Sequence, residues 1–178
     1  MATCFDVAQY FLSQIKPEDG DTITNLKLQK LVYYAQGYSL ALLGCPLFEE
    51  EIRAWELGPV VPELWRIYKV FGRQAPLPEE SEKDATANFT EEQLQILEIV
   101  YQDYGQYSAW KLSQMTHKEP TWKNTERDGV ISKETMKSFF DGVISCIRLE
   151  NEKEAERRLN DPNAKYISHE EFWAHVAA

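Results

Sequence analysis

The chain reads as mainly α, a compact helical domain around a buried central helix at about 24–43, with a small β element near 50–57. The first sign is that residues 23–43 have almost no polar face. At about 100° per residue, Leu28, Leu31, Val32, Ala35 and Leu42 form one apolar stripe, and Leu26, Tyr33, Gly37 and Leu40 form another roughly opposite. A helix apolar on two sides belongs inside a domain. Lys27, Gln29, Lys30 and Gln36 are expected to be the positions that break the surface, while Gly37 lets a neighbour approach the backbone. The second sign is a series of helix-start signals, at Thr3, Thr90 with Gln93, Ser108, Ser132, and Ser168 with Glu171. The third is that one short stretch alternates as a strand does, with Ile52, Ala54 and Leu57 turned inward and Trp55 on the other face.

In order along the chain, Thr3 opens a helix with Phe5, Ala8, Phe11, Leu12 and Ile15 inward, ending before Pro17 and a turn at 18–21. The central helix starts from Thr24 and stops at Gly44. Gly58 and Pro59 form a breaker after the β element. Pro62 suits the first turn of a helix carrying Val61, Leu64, Trp65, Tyr68 and Phe71. Residues 72–89 read as a surface loop, with two prolines and an acidic cluster. Beyond it, Leu94, Leu97, Val100, Tyr101 and Tyr104 face inward on a helix ended by Gly105. Ser108 caps a short helix at 109–115, and residues 116–122 make a polar connection containing His117 and Pro120. Met136, Phe139, Phe140, Val143 and Ile147 line the helix that follows Ser132. Residues 149–178 form a charged, helical C-terminal extension to a domain at 1–148, with a final helix from Ser168.

Composition limits the partners. In 178 residues there are 19 basic and 29 acidic side chains, a formal charge of −10, and no basic run, so nucleic acid is an unlikely primary ligand. Cys4, Cys45 and Cys146 are far apart and form no CxxC pair. Cys45 and Cys146 fall at apolar positions where buried, inert thiols are expected, and a cytoplasmic setting follows. The N-terminus lacks a charged start and a long apolar run, and Gln36, Ser39, Gly44 and Pro46 interrupt the uncharged stretch at 31–48, so no membrane segment is expected.

Chemistry is equally constrained. There is no phosphate-binding glycine loop, GxSxG or HExxH, and His169 and His175 stand about 120° apart on a helix, so no metal, cofactor or catalytic set is expected. An enzymatic reading would need a cleft where His117 meets Cys or carboxylate groups.

Two ordered blocks carry a resemblance. The run KLQKLVYYAQGYSLALLGCPLF at 27–48, followed by AWELGPVVPELW at 54–65, resembles the signature of the SocA-like family, also called the Panacea antitoxin domain. The run YGQYSAWKLSQMTHKEPTW at 104–122 is similar to that family's downstream pattern of Tyr-Gly, Ser, Leu, Thr-His and Pro-Trp. The resemblance covers about residues 3–147 and departs at Leu57, where many members have His.

It implies an antitoxin of a bacterial or prophage toxin-antitoxin system, neutralising a cognate protein toxin by direct binding. The alternative it implies is a proteolytic adaptor, or a phage-associated regulatory protein, that delivers a partner to a protease such as a ClpXP-type machine. Trp55, Trp65, Trp122 and His117 are the candidate partner-binding residues. Gln29, Gln36, Gly37, Gly58, Pro59, Gly105 and Ser108 are the candidate structural motif. Each has a plainer reading. Trp55 and Trp122 serve equally as core or groove-lining aromatics, and His117 as a helix-end imidazole bonded to carbonyls. Gln29 and Gln36 either anchor a buried polar network against the Gly58 turn, the favoured reading, or face a solvent gap.

Overall fold

The computed structural model describes residues 2–15, 23–71 and 85–160. Its elements run α1 (Cys4–Ser13), α2 (Asn25–Leu42), β1 (Arg53–Trp55), β2 (Gly58–Val60), α3 (Pro62–Tyr68) with a 3₁₀ turn at Lys69–Phe71, α4 (Glu91–Tyr104), α5 (Ala109–Thr116), α6 (Pro120–Lys123) and α7 (Lys133–Asn160). The protein is mainly α with one small antiparallel hairpin. The turn expected at 18–21, most of the loop at 72–89, His169, His175 and the helix expected from Ser168 lie outside the described residues.

Local chemistry places most helix starts. Thr3 accepts from the Asp6 amide and Asp6 answers the Thr3 amide; Thr90 and Gln93 form the same reciprocal pair. Thr24 and Ser108 cap α2 and α5 with their hydroxyls, and Ser132 Oγ accepts from the Thr135 amide at 3.1 Å. Pro62 is at the first position of α3, and Gly44, just past α2, has a positive φ of 71°.

The centre of the domain is α2, packed against α1, α3, α4, α5, α7 and β2. On the flank towards α4 and α7 the packing is aromatic. Tyr34 and Tyr104 stack at 3.9 Å, and Phe140 of α7 meets Tyr33, Tyr34 and Tyr38 edge-on or tilted. The Phe140 ring occupies the space that a Cβ on Gly37 would fill, so glycine there sets the distance between α2 and α7.

Several expectations need correction. Lys27, Gln29, Lys30 and Gln36 do not break the surface; all are buried, Lys30 completely at 0% exposure, because α2 is enclosed on every side by other elements. Gln36 does not reach the Gly58 turn. Its amide group bonds Leu47 N, Phe48 N and Phe48 O, and so holds the strap leaving α2. Gly58 and Pro59 do not break the β element but form its second strand, joined to the first by a two-residue turn at 56–57. Gly58 absorbs the turn with φ 103°. Leu57, expected inward, sits on that turn and is 47% exposed.

Other differences are smaller. The α3 helix gives way to a 3₁₀ turn that leaves Phe71 exposed. Residues 116–122 are no loose polar connection, since Thr116, Glu119 and Thr121 are buried and α6 starts at Pro120. Cys45 and Cys146 are exposed and Cys4 is the buried thiol, because apolar neighbours in sequence do not fix which way a given position faces.

Candidate functional site

The hairpin is fixed by side chains as well as by strand pairing. Its register pairs Arg53 with Val60, Ala54 with Pro59, and Trp55 with Gly58. On the outer side of β1, residues 128–131 add a third row, with bonds from Ala54 N to Gly129 O (2.9 Å), Asp128 N to Ala54 O (2.9 Å) and Ile131 N to Ile52 O (2.8 Å). Around the turn, donors from three helical regions meet successive carbonyls. Trp122 Nε1 donates to Trp55 O at 2.9 Å, and Ser113 Oγ donates to Leu57 O at 2.8 Å. His117 Nε2 lies 3.0 Å from Glu56 O, and since a carbonyl only accepts, that nitrogen carries the proton. From α2, Lys30 Nζ donates to Pro59 O at 2.8 Å and Gln29 Oε1 accepts from Val61 N at 2.9 Å.

This framework brings the four candidate partner-binding residues together. Trp55 and Trp65 contact each other edge to face at 5.2 Å, Trp122 holds the Trp55 carbonyl, and the His117 ring lies on Trp122 at 4.2 Å. All four are half-buried, anchored on one side and open on the other. An open groove of about 410 Å³ adjoins Trp55, lined also by Pro62, Arg53, Arg66, Glu51, Glu63 and Asp128. Trp110 on α5, 61% exposed, stands one helical turn from Ser113, which holds the Leu57 carbonyl. Its exposure cannot be read from sequence, because Trp is as common inside as at interfaces.

The motif residues divide between this hairpin and the core. Gln29, Gly58 and Pro59 belong to the hairpin, Ser108 to the start of α5, and Gly105 to the end of α4, where its backbone is ordinary right-handed helix. Gly37 and Gln36 belong to the α7 contact and the 47–48 strap.

Beneath the hairpin lies a buried polar cluster. Glu119 accepts from Tyr33 Oη at 2.6 Å and from Tyr34 Oη at 2.8 Å. With its one proton given to Glu119, Tyr33 must receive from Thr121 Oγ1 at 2.7 Å. Burial lowers the Lys30 ammonium and raises the Glu119 carboxyl, and each opposite charge works against the other's shift. Burial likewise raises Tyr33, Tyr34 and Tyr104, which stay neutral donors.

His117 faces a backbone carbonyl and an indole, and among the described residues no cluster of His, Cys, Asp and Glu could hold a metal ion. Residues 28–123, from the central helix through the hairpin to α6, match the family described as Antitoxin SocA-like, Panacea domain. The chain belongs to this SocA-like family. A curated relative, Antitoxin SocA of Caulobacter vibrioides (strain NA1000 / CB15N), is 44% identical over 50 residues, which are 28% of this chain and 27% of that protein. The match thus spans just over a quarter of the relative's length. No solved structure matches the chain. The SocA-like match takes in the side chains that donate to the hairpin carbonyls, Lys30, Ser113, His117 and Trp122, and Gln29, which accepts from Val61 N.

Proposed function

We propose that this protein is an antitoxin that neutralises a cognate protein toxin by direct binding, with the aromatic band on the hairpin as its contact surface. The observation that carries this is the convergence of Trp55, Trp65, Trp122 and His117 around a turn whose backbone is already fixed. A prearranged surface loses little conformational entropy on binding, and half-buried Trp side chains are the commonest anchors of protein interfaces. Leu57 and Trp110 extend the band with apolar area. Family membership supports the antitoxin role, and the net charge of −10 favours encounter with a basic partner. The site of action is cytoplasmic on this reading; among the described residues no helix is long and apolar enough to cross a membrane.

Co-expression with the product of the neighbouring gene tests the proposal. That product should arrest growth alone and be harmless beside this protein. The double variant Trp55→Ala/Trp65→Ala should lose protection at least tenfold while staying folded by circular dichroism. A neighbour that is harmless on its own, or protection that survives the double substitution, overturns the proposal.

A further inference from the structure

We infer that Lys30 and Glu119 are positioning residues for the contact surface: Lys30 reaches from α2 to the hairpin, Glu119 bonds back to α2, and together they hold the two halves of the aromatic band in register from inside the core. The inference rests on the reading that the hairpin band is what the partner touches.

The argument begins at the inner edge of the hairpin. Ala54 gives both its N–H and its C=O to residues 128–129, so Pro59, directly opposite, turns its carbonyl away from β1. Pro59 has no N–H, its carbonyl is buried, and among the described residues no further strand lies along that edge. A buried carbonyl without a donor is costly, so something must reach it. The donor is Lys30 Nζ, extended from the middle of α2 at 2.8 Å. One residue earlier, Gln29 takes the Val61 N–H. Two adjacent side chains of α2 therefore do what a neighbouring strand would do.

The approach is close enough to need Gly58. A Cβ at that position would lie 2.9 Å from Lys30 Nζ and 2.6 Å from Thr116 Oγ1. The missing side chain is what lets the ammonium and α5 close on the turn together.

The other anchoring group is Glu119, on the connection between α5 and α6; its opposite charge also offsets the effect of burial on Lys30. That connection carries the other half of the band: His117 lies two residues before Glu119, and Trp122 three residues after. Tyr33 and Tyr34 donate to the same carboxylate, so Glu119 is held to α2 by rings on the turn that follows Lys30. Trp55 and Trp65 are thus fixed through Pro59 and Lys30, His117 and Trp122 through Glu119, and α2 carries both. Neither Lys30 nor Glu119 is exposed, so their role runs through the hairpin and not through contact with a partner.

The test uses the full chain with Lys30→Met/Glu119→Gln, which removes both charges, keeps an acceptor for one tyrosine while the other accepts from the Gln amide, and leaves no ion buried alone. Three quantities are read: the urea midpoint, amide exchange at Ala54 and Ile131, and affinity for the toxin that wild type neutralises. We expect a lowered urea midpoint, since the Pro59 carbonyl loses its donor, exchange at Ala54 and Ile131 at least tenfold faster relative to amides in the middle of α2, and affinity at least tenfold weaker. Unchanged exchange overturns the inference, as does faster exchange with unchanged affinity. If the double variant does not fold, exchange in the wild type decides. Ala54 and Ile131 should then exchange no faster than amides in the middle of α2, and a hairpin that opens a hundredfold more often than α2 is not held by it. A wild-type protein that protects from no toxin defeats the proposed function alone, since the exchange measurements still report whether Lys30 and Glu119 fix the hairpin.

Discussion

Towards α4 and α7, helix α2 meets its neighbours with rings and a glycine; towards the hairpin it meets them with an amide, an ammonium and two phenols that bond the Glu119 carboxylate. On the first flank Tyr34, Tyr38, Tyr104 and Phe140 fill space around Gly37. On the second, Gln29, Lys30 and Glu119 place atoms: a backbone N–H, a carbonyl and two phenols are each bonded at a set distance. The difference teaches what each flank is for. Packing supplies stability and tolerates changes of shape that keep volume. A buried hydrogen-bond set tolerates little, because removing one member strands another, and so it suits a surface whose geometry must not drift.

Breaking the aromatic flank should give the largest loss. Phe140→Ala deletes a fully buried ring at the α2–α7 contact and should cost about 3–5 kcal/mol by urea denaturation, with the remaining protein still able to show its hairpin contacts. A loss of under about 1 kcal/mol would show that α7 does not brace α2.

On the polar flank, Lys30→Met removes the donor to the buried Pro59 carbonyl and the opposite charge that offsets burial of Glu119, and should cost about 1–3 kcal/mol at neutral pH. The sign of its pH dependence separates the two flanks. Burial holds Glu119 above its ordinary carboxylate value of 4.5, so protonation favours the folded chain; that contribution is complete below 4.5 and is lost as pH rises through neutrality. Thermal melts of Lys30→Met should therefore recover towards wild type between pH 7.5 and pH 5, whereas the deficit of Phe140→Ala should stay constant over that range. Equal pH profiles for the two variants would remove the distinction.

The smallest effect sharpens the comparison from outside. Arg127 and Glu56 pair at 3.0 Å beside the hairpin turn, but both are largely exposed. Arg127→Ala should change stability by roughly 0.5 kcal/mol or less, because water and salt screen such a pair. A larger loss would mean that the turn is held from its surface as well as from the core.

Legibility followed the same division. Thr3, Thr24, Thr90, Ser108 and Ser132 mark their helices in sequence because a cap is a bond between residues two or three apart. The hairpin was half visible. Its first strand alternates, but its second is Gly-Pro-Val, whose strand character depends on α2 serving the Pro59 carbonyl from 29 positions away. Lys30 and Glu119 gave no local signal at all, since a lysine between apolar neighbours is ordinarily a surface position.

Sequence alone determined that a helix at about 24–43 would be buried, where most other helices begin, and which family the chain resembles, because periodicity, capping and motif order are local or linear properties. Tertiary structure alone decided that Lys30 points inward, that Cys45 and Cys146 point outward, and that four aromatic residues from β1, α3, α5 and α6 form one band. The direction of a long side chain depends on the polar atom that awaits it, and here that atom, the Pro59 carbonyl, arrives from a distant part of the chain.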